Sequence, residues 1–424
     1  MKKFVKLMLC IMFLSVLLAA PQSVSAKSIK GINIKKTFGN CRYWLEGRNC
    51  DKNKDGYLSK KEVKNIKCLK IYSLDKINLK NIKKLKYLEK IDIVAEDLYN
   101  MKEIKKLQRL KKVKLDVESN KRRVLDLRKS KNIKNLNIFM YNSVVKINKK
   151  NKIEYIRLTG IENCISLVNK CYQVKKIWLN EDCKEESLII NNRKKLSEIH
   201  LRGGVKVNNL EIKECNKLKK INIAGGKINE CIIEDNDVVK SISIVAVKRF
   251  SKMVIKNSPK LTKVYLNENP KMKSLTLDNL PNLQEVICTW GALSELNIIG
   301  KNDIRKLWLW HNKLTKFEYT NLSRLISLDI SNNQIEGRFD MTLYPCLGSF
   351  DCSYNRLTEI YGGTIDEAIS YINCNNNQLK LIDFRGMKNG YILGLDCKNN
   401  PNVEIYGVVE DGSWDASAKY YCTV

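Results

Sequence analysis

Leu325-Ile326-Ser327-Leu328-Asp329-Ile330-Ser331-Asn332-Asn333 decides how this chain is read. Three apolar residues follow one another at spacings of three and two, and an Asn stands three residues beyond the last. An apolar-x-apolar pair is the mark of a short strand with alternate side chains on one face. The same spacing returns in Leu261-Val264-Leu266 and Leu218-Ile221-Ile223. Its opening residue can be placed at 66, 88, 110, 133, 153, 174, 196, 218, 239, 261, 283, 304, 325, 347, 369 and 392, in steps of 20 to 23. One such unit cannot bury its apolar edge alone, whereas stacked units form a parallel sheet over a continuous core. The trailing Asn recurs as Asn269, Asn312, Asn333, Asn355, Asn377 and Asn400. A buried turn leaves backbone donors and acceptors that need partners, and an amide stacked from coil to coil supplies them.

This is the leucine-rich-repeat pattern, L-x-x-L-x-L-x-x-N-x-L. It predicts a right-handed, curved solenoid. A parallel sheet would line the concave face, with short β or 3-10 segments on the convex face and a small helical, EF-hand-like cap before the first repeat. In later copies the final apolar residue becomes Cys288, Cys352, Cys374 and Cys397. Several copies carry a second strand-like pair, as in Met272-Leu275-Leu277. Together these features resemble bacterial surface repeats of the internalin type, in the form with a cysteine ladder. The resemblance covers residues 66–403, is specific from 261 and loosest before 174, where helical insertions are expected. It implies an adhesin or recognition protein of a Gram-positive surface.

Ahead of the repeats lies Asp51-Lys52-Asn53-Lys54-Asp55-Gly56-Tyr57-Leu58-Ser59-Lys60-Lys61-Glu62, which fills every position of D-x-[DN]-x-[DN]-G-x5-E. Calcium takes several hard oxygens in a flexible cage. Asp51, Asn53 and Asp55 would give side-chain oxygens, Tyr57 its carbonyl, Ser59 a water-borne contact and Glu62 a bidentate carboxylate. The loop resembles the EF-hand and dockerin type, with residues 41–48 as the incoming helix and 60–66 as the outgoing one. An Asp/Asn/Gly turn can also bind nothing. The flanking lysines 52, 54, 60 and 61 place the affinity at the weak extracellular end, roughly 10⁻⁴ to 10⁻³ M. That makes calcium a structural ion of the N-terminal cap.

The start of the chain is basic at Lys2, Lys3 and Lys6, apolar from 7 to 20, and small at Val24-Ser25-Ala26. This order predicts a secretory signal peptide cut after Ala26. The divisions expected are thus 1–26 signal peptide, 27–65 cap with the calcium loop, 66–403 repeats (about 16 by the leucine-rich-repeat period) and 404–424 C-terminal cap. No later stretch approaches a membrane-spanning length.

The formal charge is +32, yet residues 301–424 hold 13 Lys+Arg against 15 Asp+Glu, so the first 300 carry +34. A basic two-thirds suggests an anionic partner such as wall polymer or acidic glycan, with nucleic acid the least expected. Drift toward AT-rich codons produces the same lysines with no partner at all. Of the 15 cysteines, those at the repeat position read as small core residues, and Cys41–Cys50 is the pair expected if one forms.

Residues between and just after the strand apolars point to the concave face. Tyr265, Trp290, Trp308 and Trp310, with His311 beside them, fall in consecutive repeats and predict one aromatic patch. A second group is Tyr155, Arg157, Lys176, Trp178, His200 and Arg202. Aromatics flanked by cations form a platform for sugar rings or peptide anchors, unless they pack against one another. His200 and His311 lie five repeats apart without a nucleophile beside them, which argues against catalysis. The chain therefore reads as a secreted or surface scaffold, monomeric, that takes a protein or glycan on its concave face. The alternative is a basic envelope protein held electrostatically to anionic wall polymer.

Overall fold

The computed structural model describes residues 31–38, 49–181, 183–362, 369–385, 392–400, 402–408 and 414–421. The expected signal peptide and the incoming helix at 41–48 lie outside the described residues. Among the described residues, sixteen strands join side by side into one long parallel sheet, from Cys68–Tyr72 to Leu395–Asp396. Each begins two or three residues after one of the sixteen repeat openings. The register runs straight along the molecule: Leu307 faces Leu328, Leu328 faces Phe350, and Phe350 faces Ile372. Burial alternates within each strand, so Leu328 and Ile330 are sealed while Ser327 and Asp329 lie outward.

The opposite side closes the core in two ways. From Ser187–Asn191 to Glu295–Asn302 a second run of parallel strands forms, joined through Lys252–Lys256 and Ser274–Leu280. Elsewhere single 3-10 turns such as Ile82–Lys84 and Met101–Lys106 fill the same place. The last repeats carry Glu336–Asp340, Arg356–Tyr361, Leu381–Asp383 and Glu404–Val408 in parallel, and Trp414–Tyr421 pairs antiparallel with the last of them.

The repeat asparagines hold neighbouring coils together. Asn333, buried, donates through Nδ2 to the carbonyls of Leu309 and Ile330 at 3.0 Å each, and its Oδ1 accepts from Leu314 N at 3.0 Å. Asn312, Asn355, Asn377 and Asn400 repeat the pattern, each reaching one coil back. This is a leucine-rich-repeat solenoid. The residue before each ladder position turns left-handed: Ala246, Glu268, Trp290, His311, Asn332, Tyr354, Asn376 and Asn399 all have φ between 53° and 59°.

At the N-terminal end Tyr57–Leu58 pairs antiparallel with Ile32–Asn33, and the helix Lys60–Asn65 follows with a reciprocal capping box between Ser59 and Glu62. Ile34, Leu58 and Val63 are buried and cover the first coil.

The cysteines correct the sequence reading in part. Cys288, Cys352 and Cys374 are buried core residues, and burial pushes the Cys288 thiol up to about 12. A disulfide joins Cys164 to Cys183, whose Cα atoms stand 5.9 Å apart, a pairing the repeat spacing did not suggest. Its cause is the inserted helix Cys164–Asn169, which brings Cys164 off the regular register and against the next coil. Cys41, the expected partner of Cys50, lies outside the described residues.

Candidate functional site

The outward residues of the long sheet form columns because the strands are in register. The central column runs Arg157, Trp178, His200 in one stretch and Tyr265, Ile287, Trp308, Asp329, Asp351, Asn373 in another. Adjacent strands lie roughly 4.8 Å apart, so neighbours in a column are within contact.

Three of the aromatics chosen from the sequence come together at the C-terminal edge of this face. Trp290 stacks on His311 with centroids 3.9 Å apart and planes 14° from parallel. Trp310 meets both rings edge-on at 5.3 Å. Trp290 is 52% exposed. Trp290 and His311 occupy the left-handed turn column, at φ +54° and +53°, where Asn332, Asn376 and Asn399 stand in later coils. Asn tolerates that conformation, and a bulky Trp adopts it at a cost.

Trp308 is placed differently. It lies in the central column, two residues from Trp310 and on the same face, with the Lys306 ammonium 3.4 Å from its centroid and its Nε1 donating to Ser327 Oγ at 3.2 Å. Tyr265 sits two strands away across Ile287, beside the Lys263–Glu285 pair, and burial with the Glu285 carboxylate raises its phenol. The expected single patch is therefore a three-ring cluster with Trp308 and Tyr265 along its flank.

Trp178 forms a separate centre. It stacks on His200 at 4.0 Å, and the guanidiniums of Arg157 and Arg202 lie 5.5 and 5.9 Å from its centroid. Lys176 pairs with Glu198 at 2.6 Å, and Tyr155 borders the group on the preceding strand.

Two features escaped the sequence reading. Asp329 and Asp351 are adjacent in the central column, each bonded to its own Ser331 or Ser353. Burial raises the Asp329 carboxyl against the Ser331 hydrogen bonds, and Asp351 adds to the rise. Tyr354 continues the left-handed column and is 57% exposed. The S-x-D-x-S spacing of 327–331 and 349–353 was the available signal for the first.

In the loop at 51–62, Asp51 and Glu62 are buried to 9% and 8% exposure. Glu62 reaches back from the helix, accepting from Lys52 N and Ser59 N at 2.8 Å each. Asp51 accepts from Gly56 N at 2.8 Å, and Asp55 from Tyr57 N at 2.8 Å. Gly56 has φ +78° with open space around it, as the sharp bend requires. The motif carboxylates are thus each bonded to backbone N–H groups of their own loop, and among the described residues no three His, Cys, Asp or Glu side chains are placed to hold a metal ion together. Ser59 is also the helix N-cap.

No family model and no curated protein matches this chain. Solved structures do. An internalin from Listeria monocytogenes aligns at 15% identity over 78% of this chain and 94% of its own, with a TM-score of 0.37. The functional domain of InlJ from the same organism, which includes a cysteine ladder, aligns at 12% over 81% and 84%, TM-score 0.34. A leucine-rich-repeat protein of Leptospira interrogans aligns at 17% over 82% and 88%, TM-score 0.36. Among the described residues no helix is long and apolar enough to cross a membrane.

Proposed function

We propose that this chain is a secreted or cell-surface scaffold that recognises a protein or glycan on the face of its long sheet. The recognition centre comprises Trp290, Trp310 and His311, flanked by Trp308 and Tyr265. The carrying observation is that Trp290 and His311 hold the left-handed turn positions in consecutive coils and stack there, with Trp290 half exposed. Backbone strain borne by the half-exposed Trp290 in place of Asn supports a functional use of the ring. No step of chemistry is assigned to the face; its part is to bind. Calcium held by Asp51, Asn53, Asp55, Tyr57, Ser59 and Glu62 would order the cap and supply cross-linking charge there.

Many lysines form ion pairs one repeat away, as in Lys111–Glu89, Lys175–Glu154 and Lys263–Glu285, and so stitch coils together. The test is an array of glycans, wall polymers and surface proteins probed with the mature chain and with W290A/W310A. Loss of the same spots in the folded variant supports the proposal; an unchanged array contradicts it.

A further inference from the structure

We propose that the second centre on the same face, Arg157, Trp178, His200 and Arg202, is a subsite for an acidic polypeptide segment. It rests on the reading of this face as a binding surface, and adds the chemistry of what it binds.

Arg157 and Arg202 are both exposed, and among the described residues neither forms an ion pair within 4.0 Å, unlike Arg122, Arg128, Arg305, Arg324 and Arg385. Both are instead held over the Trp178 ring. A guanidinium restrained by an indole retains its in-plane N–H donors for an outside acceptor, and less side-chain freedom is lost when one arrives. The arginines stand on strands two apart, so a carboxylate-bearing segment crossing the strands meets both.

Beneath them lie acceptors that the protein does not use. His200 is 6% exposed; its Nε2 is 3.4 Å from Glu198 Oε2, and its Nδ1 has no hydrogen-bond partner among the described residues. The carboxylate at Nε2 favours the tautomer protonated there, which leaves Nδ1 an acceptor. Asn180 Oδ1, directly across the ladder from Arg202, is likewise buried and unpartnered, while its Nδ2 donates to Thr159 Oγ1. Asn267 and Asn375 leave the same Oδ1 unpartnered at the same repeat position, so it is the buried His200 Nδ1 that points to a donor brought by a partner here.

Unpaired cations beside unpaired acceptors are the complement of one ligand chemistry: carboxylates together with N–H donors. An extended acidic peptide offers both. A phosphate or sulfate polymer offers acceptors alone and would leave the buried acceptors unpaired.

Calorimetry on the full mature chain, with a Glu-rich decapeptide and with inorganic polyphosphate of matched charge, tests this. The R157Q/R202Q variant is expected to weaken the peptide about tenfold or more. The charge-matched K252Q/K273Q on the opposite face should change it less than about twofold, as rim charges do. H200F, with the stacking kept, should weaken the peptide and leave polyphosphate unchanged. Melting temperatures confirm that each variant folds. Equal losses in both double variants, or polyphosphate bound more tightly than peptide through the same arginines, overturn the assignment. If the peptide does not bind, while W290A/W310A still abolishes array binding, the subsite falls and the broader scaffold reading stands.

Discussion

Asn333 uses both ends of its amide on backbone groups of neighbouring coils, at Leu309, Ile330 and Leu314. Replacing it with Leu would leave buried carbonyls and an N–H without partners, a penalty of about 1–3 kcal/mol for each group that finds no water. Asn333→Leu should lower the urea midpoint clearly, while Asn332→Gly, at the left-handed position beside it, should be close to neutral. Similar midpoints for the two variants would refute the ladder's energetic role. His200 gives a second residue-scale prediction. Burial holds its imidazole below the ordinary value, opposed by Glu198. The folded chain then binds fewer protons than the unfolded one below about pH 6.5, so stability falls as the pH drops from there through the folded value. Melting curves at pH 7.5 and 5.5 should diverge less in His200→Asn than in the parent chain. Equal divergence would remove His200 from the pH dependence.

The repeats were legible because their period is set by the core. All sixteen openings read from apolar spacing precede a strand of the long sheet, since a slip of one residue would turn every buried side chain to solvent. The ladder before residue 244 was less legible because its polar members change position. Asn236 performs the same task on the opposite side, donating to Ile212 O and accepting from Cys215 N, and Asn163 bridges back to Val145. The disulfide was hidden because neither Cys164 nor Cys183 stands at the repeat position where the other cysteines recur. Of the aromatic centre, the grouping by repeat was readable, but the left-handed backbone of Trp290 and His311 was not, because neither residue type signals it. Calcium binding at 51–62 is proposed from the motif alone. Calorimetry should find one weak site that disappears in Glu62→Gln and in Asp51→Ala, and unchanged binding in both would refute it. Circular dichroism of the repeats should survive chelation, because stacking between coils supplies their core independently of the loop.

On the scale of the whole molecule, one rigid sheet presents three chemical zones in chain order. Arginines over Trp178 come first, then the Trp290–Trp310–His311 cluster, then the Asp329–Asp351 pair. A long ligand laid across the strands would meet all three, which a basic coat for wall polymer would not require. Salt separates these readings, since attraction between exposed charges is largely screened at about 1 M, where the Debye length is about 3 Å. The most direct measurement is array binding of the chain and of W290A/W310A at about 0.15 M and about 1 M salt, with melting temperatures taken in parallel. The account predicts a discrete set of ligands that persists at high salt and vanishes in the variant without loss of stability. Binding that collapses with salt in both proteins, or a variant that loses stability and keeps its ligands, would contradict it.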